Sequence, residues 1–227
     1  MKLASTFFKT VLTFNENTFT SLIIEHQGLF RKTLEDFIAQ LNGDTGEYIF
    51  SINDTPKPFR NHIELLQQWV PFELNSKTLQ SALFKAVEKI ALSRENFTAT
   101  HHLLESIRSK IQTWALELPH ETEVNELSVP SLLKAVGLTF TNRANLVEQI
   151  IAYCCLVRDL IGEKLFVFVN LRSYLNDSEL DLLMTDLLSK KINILLLEST
   201  ERSCRPTEKR LIIDTDLCEF GWKHDII

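Results

Sequence analysis

Few residues of this chain could do chemistry, and most of them fail on spacing. Gly28-Leu29-Phe30-Arg31-Lys32-Thr33 comes nearest to a phosphate-binding loop, because it follows the strand-like stretch Thr18 to Glu25 and opens an amphipathic run. Such a loop needs G-x-x-x-x-G-K-[ST], so that successive backbone N–H groups wrap the phosphates. Here the loop is shorter and the second glycine is missing, and none of the chain's other glycines precedes Lys-Ser or Lys-Thr. The apolar run beginning at Lys164 ends in Asn170, where a magnesium-coordinating NTPase carries Asp. These residues argue against a bound nucleotide and against its hydrolysis. Among the histidines there is no H-E-x-x-H, and adjacent His101-His102 point to different faces of a helix, so they cannot chelate as an i, i+4 pair does. Cys154, Cys155, Cys204 and Cys218 form no C-x-x-C pair and have no His partner at metal spacing, which leaves them as structural thiols. No G-x-S-x-G elbow occurs. The expectation is a protein that is not an enzyme.

Two groups of charged residues remain. Glu117, Glu121, Glu123 and Glu126 gather between a helical block and the segment that follows it. They read as a solvated loop or, since carboxylates beside backbone carbonyls suit a hard cation, as a calcium site at Glu121, Glu123 and Glu126, although no EF-hand loop is present. Basic residues gather at Lys57 and Arg60, at Lys190-Lys191, and at Arg202, Arg205, Lys209 and Arg210. A net charge of −6 excludes a uniformly basic coat. It leaves room for a local basic surface, because binding answers to where charges sit rather than to their sum.

The elements that must position these groups are legible in the hydrophobic pattern. Lys164 to Asn170 and Ile192 to Glu198 are continuous apolar runs, the signature of strands buried on both faces of a parallel sheet. Between them Asn176-Asp177-Ser178-Glu179 predicts a capping box, and Leu180, Leu183, Met184, Leu187 and Leu188 form a helical stripe. A crossover of this length makes the two strands parallel neighbours, so the fold class is α/β. Strand-like pieces also lie at 7–14, 18–25, 47–52 and 210–214, with a helix over 29–41. Asn53 to Pro58, with two prolines, reads as a linker. From His62 to about Val136 the period is 3.6 with no strand: Leu79 to Ala91 and Leu103 to Leu118 form a helical hairpin whose stripes cover each other or a partner. The division predicted is a discontinuous α/β head, 1–58 and 140–227, with an inserted α-helical leg domain, 59–139. No apolar run reaches the roughly eighteen residues of a membrane helix, and no signal peptide opens the chain, so a cytoplasmic protein with no membrane partner is expected.

Lys164 to Asn170, Tyr174 to Leu180 and Ile194 to Glu198 together resemble the K-L-L-I-F-V-N, Y-L-T-x-D-E and V-L-F-L-E core of the Csn-type CRISPR-associated adaptation proteins of type II-A loci. Phe72-Glu73-Leu74-Asn75-Ser76 is similar to that family's F-D-V-N-S, and Leu133 to Leu138 to its L-I-K-x-L-G-V. The likeness spans Glu64 to Asp216. It implies a toroidal homotetramer, each subunit having a head with a degenerate P-loop-NTPase-like sheet and a helical leg. Such rings bind double-stranded DNA ends through a basic channel and take calcium. They have no known catalytic activity and support the acquisition of new spacers with the CRISPR integrase complex and the effector nuclease. For this chain the basic candidates for DNA are Lys190, Lys191, Arg202, Arg205, Lys209 and Arg210, expected to emerge at one edge of the head. Two readings compete with a DNA-binding ring: a helical protein–protein interaction adaptor without DNA binding, and a weak nucleotide-binding enzyme.

Overall fold

The computed structural model describes residues 1–221, so the last six residues of the expected head, 222–227, lie outside the described residues. In chain order the elements are β1 (Lys2–Ser5), β2 (Leu12–Thr13), β3 (Phe19–Ile24), α1 (Gln27–Asn42), β4 (Tyr48–Ile52), β5 (Thr55–Lys57), α2 (Phe59–His62) and β6 (Ile63–Leu66). They continue as α3 (Lys77–Ala91), α4 (Phe97–Ala115), α5 (Val129–Ala135), α6 (Leu146–Leu160), β7 (Leu165–Val169), α7 (Asp177–Ser189), β8 (Asn193–Glu198), β9 (Glu208–Ile213) and β10 (Glu219–Phe220). The mixture is α/β. It separates into one compact unit made of Met1–Phe72 and the chain from Arg143 onward, and a second made of Glu73–Asn142.

The first unit is built on a six-stranded sheet in the order β10-β9-β3-β8-β7-β6, parallel except for β10. The β7–α7–β8 crossover forms because its ends cannot tolerate water and its helix has a defined start. β7 is buried at every residue, and Leu165 registers with Asn193 through to Val169 with Leu197. Asn176 Oδ1 accepts the Glu179 N–H at 3.0 Å while Glu179 Oε2 accepts the Asn176 N–H at 2.9 Å, so the capping box is closed in both directions. Asn176→Ala should therefore cost about 1 kcal/mol, read as a lower midpoint in urea unfolding with an unchanged slope.

Alternation along the strands divides the core between the two faces of this sheet. Leu22, Ile24, Val167, Leu195 and Leu197 share one cluster with Phe37 of α1 and with Tyr48 and Phe50 of a second, antiparallel sheet ordered β2-β1-β4-β5. On the other face Phe168 meets Trp69 edge to face, and Tyr153 of α6 donates to Glu64 of β6 at 2.7 Å. There α6 and α7 pack side by side.

Three sequence expectations are corrected. Asn53 to Pro58 is not a linker: Asn53 and Asp54, both with positive φ, make the tight turn of the β4–β5 hairpin, and Lys2 holds Asp54 at 2.6 Å. Pro56 is tolerated because β5 is an edge strand that needs no donor on its outer side. The expectation of no strand between His62 and Val136 is overturned by β6, which extends the main sheet beside β7, Ile63 registering with Leu165. Four residues, Ile-Glu-Leu-Leu, fit a helix or a strand equally well, and the free edge of β7 decides.

In the second unit, Ser76 Oγ caps α3 by accepting the Leu79 N–H at 3.3 Å, and Gly137, at φ 68°, lies just past the end of α5. Asn75 donates to the Phe140 carbonyl and accepts its N–H, at 2.9 and 2.8 Å, stitching the two ends of the unit together. The third correction is the helical hairpin. α3 packs chiefly against α5, and α4 buries only Leu104. The predicted stripe of α4 is left standing in water, with Leu103 53% and Trp114 58% exposed.

Candidate functional site

The strand-to-helix junction nearest to a phosphate loop is closed by its own residues. Only Glu25 and His26 separate β3 from α1, so Gly28 to Thr33 are turns of helix rather than a loop. His26 Nδ1 accepts the Leu29 N–H at 3.0 Å, taking a donor that a phosphate would need. Lys32 lies over the Phe7 ring, 4.7 Å from its centroid. Thr33 is buried and shares a 2.9 Å hydrogen bond with the Tyr48 hydroxyl, whose pKa burial pushes up. Asn170, at φ 50°, ties β7 to the end of β8, its Oδ1 accepting from the Ser199 N–H and hydroxyl, each at 2.9 Å. In a groove of about 310 Å³ lined by Trp69, Phe72, Arg143, Asn145 and Gln149, both side-chain amides are likewise engaged. Gln149 bridges the Phe72 carbonyl and the Arg143 N–H, at 3.2 and 2.6 Å, and Asn145 caps α6.

The predicted basic residues are not brought to one edge. α7 carries the chain from the C-terminal to the N-terminal edge of the parallel strands, a rise of about 20 Å at 1.5 Å per residue. Lys190 and Lys191 follow it, whereas Arg202 lies by Ser173 near the opposite edge, its Nη2 3.4 Å from the hydroxyl. Lys190 pairs with Asp186 at 3.1 Å and Lys191 with Glu16 at 2.9 Å, so a carboxylate accompanies each.

The arginines that follow are spent inside the fold. Residues 199–207 cross the sheet face covered by α7, because β8 and β9 are parallel with β3 between them. The crossing is fastened by an ionic network. Arg205 lies 3.0 Å from Asp177 and 3.2 Å from Asp181, both on α7. Neither N–H points along a hydrogen bond, so the attraction at these distances is that of the opposite charges alone. Arg210 reaches Glu201 at 3.0 Å and Glu208 at 3.1 Å. The side chain of Glu208 is wholly buried and also lies 3.7 Å from Arg172, whose Nη2 donates to the Ser203 carbonyl at 2.8 Å. Glu198, buried at the end of β8, accepts the Arg172 N–H at 3.1 Å; desolvation pushes its carboxyl up to about 7 against the pull of that N–H and of the Arg172 charge. Lys209 belongs to β9 beside these groups. Arg205 and Arg210 are thus fasteners of the crossover.

Arg172, Glu198 and Glu208 were not singled out from the sequence. Glu198 gave a signal, an acid at the end of Ile-Leu-Leu-Leu, a run buried on both faces where a carboxylate needs a partner. Glu208 gave none, lying among charged neighbours in a stretch that reads as loop.

Glu121, Glu123 and Glu126 lie exposed along an irregular segment. Among the described residues no three His, Cys, Asp or Glu side chains converge as metal ligands. Calcium takes six to eight oxygens in one shell, and these carboxylates as placed do not fit it. No helix among the described residues is long and apolar enough to cross a membrane.

Comparison with known proteins places these features. The sequence matches the family described as CRISPR-associated protein (Cas_Csn2) over residues 40–217. Among curated proteins no match is found. Of solved structures, Stu0660 of Streptococcus thermophilus is similar with a TM-score of 0.61 at 12% identity, over 94% of this chain and 74% of that one, a likeness of fold. A bacterial Atm1-family ABC exporter with ATP bound aligns over 91% of this chain and 34% of that one, at 12% identity and a TM-score of 0.40.

Proposed function

The chain belongs to the CRISPR-associated Cas_Csn2 family, and from that premise we propose that it is a non-catalytic, ring-forming protein that binds double-stranded DNA ends during new spacer acquisition in type II-A CRISPR immunity. On this reading the first unit is the head, its sheet a degenerate relative of the P-loop NTPase sheet, and the second unit is the leg. The loss of nucleotide chemistry has a physical cause: the first turn of α1 is capped by His26, and Thr33 is bonded to Tyr48. The ring would act with the integrase complex and the effector nuclease as partners.

The observation that carries assembly is the apolar stripe of α4. Leu103, Ile107, Ile111 and Trp114 recur at helical spacing, and three of the four are exposed large side chains. Continuous apolar surface of this kind marks an interaction site. A second copy of the chain is the occupant that a homotetramer supplies. Ile111→Asp with Trp114→Asp should leave the subunit folded, since both residues are already in water, and should convert the oligomer to smaller species by light scattering. An unchanged mass would remove α4 from the interface. Calcium at Glu121, Glu123 and Glu126 would require residues 120–128 to fold around the ion, so no part of this function is assigned to it.

The ring and the protein-only adaptor are separated by topology of the DNA. A closed ring threads an end, so linear duplex should be retained at low salt and covalently closed circles of the same sequence should not, with retention falling steeply as salt rises. Retention of neither form leaves the adaptor reading in its place.

A further inference from the structure

We propose that the exposed face of α3 is the surface on which this chain binds DNA, the phosphate backbone of the duplex lying along Lys77, Lys85 and Lys89. This inference rests on the DNA-binding reading above and supplies the surface that reading lacks.

Charge is distributed unevenly along the chain. Residues 1–72 and 143–227 carry seventeen basic residues against twenty-two acidic, and 73–142 carry seven against eight; within the latter, 77–115, α3 with α4 and their connection, carry six basic against three acidic. A polyanion approaching an acidic protein is held where the local balance reverses. Within that stretch the basic side chains are ordered. Lys77, Ser81, Lys85 and Lys89 follow one another at four-residue steps, and all four are exposed. A period of four drifts only slightly from the helix period, so they share one face.

At 1.5 Å per residue the stripe is about 18 Å long. Duplex DNA presents one negative charge per roughly 1.7 Å of axis, so about ten phosphates pass along a stretch of that length, and flexible lysine stems can select among them. Among the described residues no carboxylate lies within ion-pairing distance of Lys77, Lys85 or Lys89. That distinguishes them from Lys190 and Lys191, each held beside an acid that would also face the phosphate, and from Arg205 and Arg210, whose guanidinium groups are committed to the crossover. Leu79, the buried residue of α3, faces away from the stripe. The lysines are therefore not needed for folding.

The test is binding of linear duplex of mixed sequence, at several salt concentrations, by the parent, by K77A/K85A/K89A and by K190A/K191A. Alanine keeps the helix, which far-UV circular dichroism and elution volume verify. The triple variant should bind about tenfold or more weakly at fixed salt, with the slope of log K against log salt shallower by about 2–3. K77R/K85R/K89R should restore both, and K190A/K191A should bind within about twofold of the parent, as loss of an already neutralised pair predicts. Parental affinity and slope in the triple alanine variant overturn the assignment to α3 while leaving the DNA reading standing. A parent that binds no duplex overturns the DNA reading and the α3 surface with it.

Discussion

Replacing Glu208 with alanine is expected to destabilise the first unit by about 3–5 kcal/mol, the cost of leaving buried charge unpaired. The Glu208 carboxylate is wholly buried, 3.1 Å from Arg210 and 3.7 Å from Arg172, two guanidinium groups that are themselves nearly inaccessible. It also accepts the backbone N–H of Arg205 at 2.9 Å, which orients the end of the 199–207 crossing. Without the carboxylate, the two cations lose the buried counter-charge they share, and only the half-exposed Glu201 beside Arg210 and the Glu198 carboxyl beside Arg172 are left to balance them. For a domain of this size the loss corresponds to a fall in Tm on the order of 10 °C. Arg210→Ala in the same chain should recover part of it, because one stranded charge leaves with the substitution. Urea unfolding of the parent, the single and the double variant measures both. A single-variant loss below about 1 kcal/mol, the range of solvated pairs, would mean that the crossing does not exclude water. Charge reversal at Arg205 would act on the fold through Asp177 and Asp181, which makes it a poor probe of DNA contact.

The second large effect is a dependence on pH carried by Glu198. Its carboxyl is raised from 4.5 to about 7, first by desolvation, with the Arg172 N–H and the Arg172 and Arg202 charges opposing and Glu208 adding to the rise. A carboxyl whose folded pKa exceeds its unfolded value holds more protons folded than unfolded, so its contribution to stability falls as pH rises from 4.5 to about 7 and is level outside that window. At 1.36 kcal/mol per unit the difference is about 3 kcal/mol. Glu198→Gln keeps an acceptor for the Arg172 N–H and has no charge to desolvate. The variant should therefore match the parent near pH 4.5 and gain on it up to about pH 7, reaching a Tm several degrees higher above neutrality. Equal stability of the two proteins at pH 8 would show that Arg172 compensates the buried carboxylate in full.

How much of this could be read beforehand differs from element to element. The β7–α7–β8 crossover was legible because its information is local: two uninterrupted apolar runs, a capping box at Asn176 and a leucine stripe all point to the same structure. α3 was legible for the same reason, its apolar residues keeping the helical period from Leu79 to Ala91. β6 and the β4–β5 hairpin were not. Ile63–Leu66 becomes a strand only because β7 offers an unpaired edge a hundred residues away, and Asn53-Asp54 reads as linker until its flanking residues are seen to pair.

The candidate site divides along the same line. The missing phosphate loop was determined by the sequence, since a glycine that is absent cannot be supplied by folding. Which basic residues remain available was decided by tertiary structure alone. Arg205 and Arg210 look like an exposed basic loop in the sequence, and they become internal fasteners because β8 and β9 are separated by β3. The chain must cross that strand over the sheet face, and there it meets Glu208, Asp177 and Asp181. Hydrophobic period is written in neighbouring residues, whereas the partner of a charge is chosen by whatever the fold brings within about 4 Å of it.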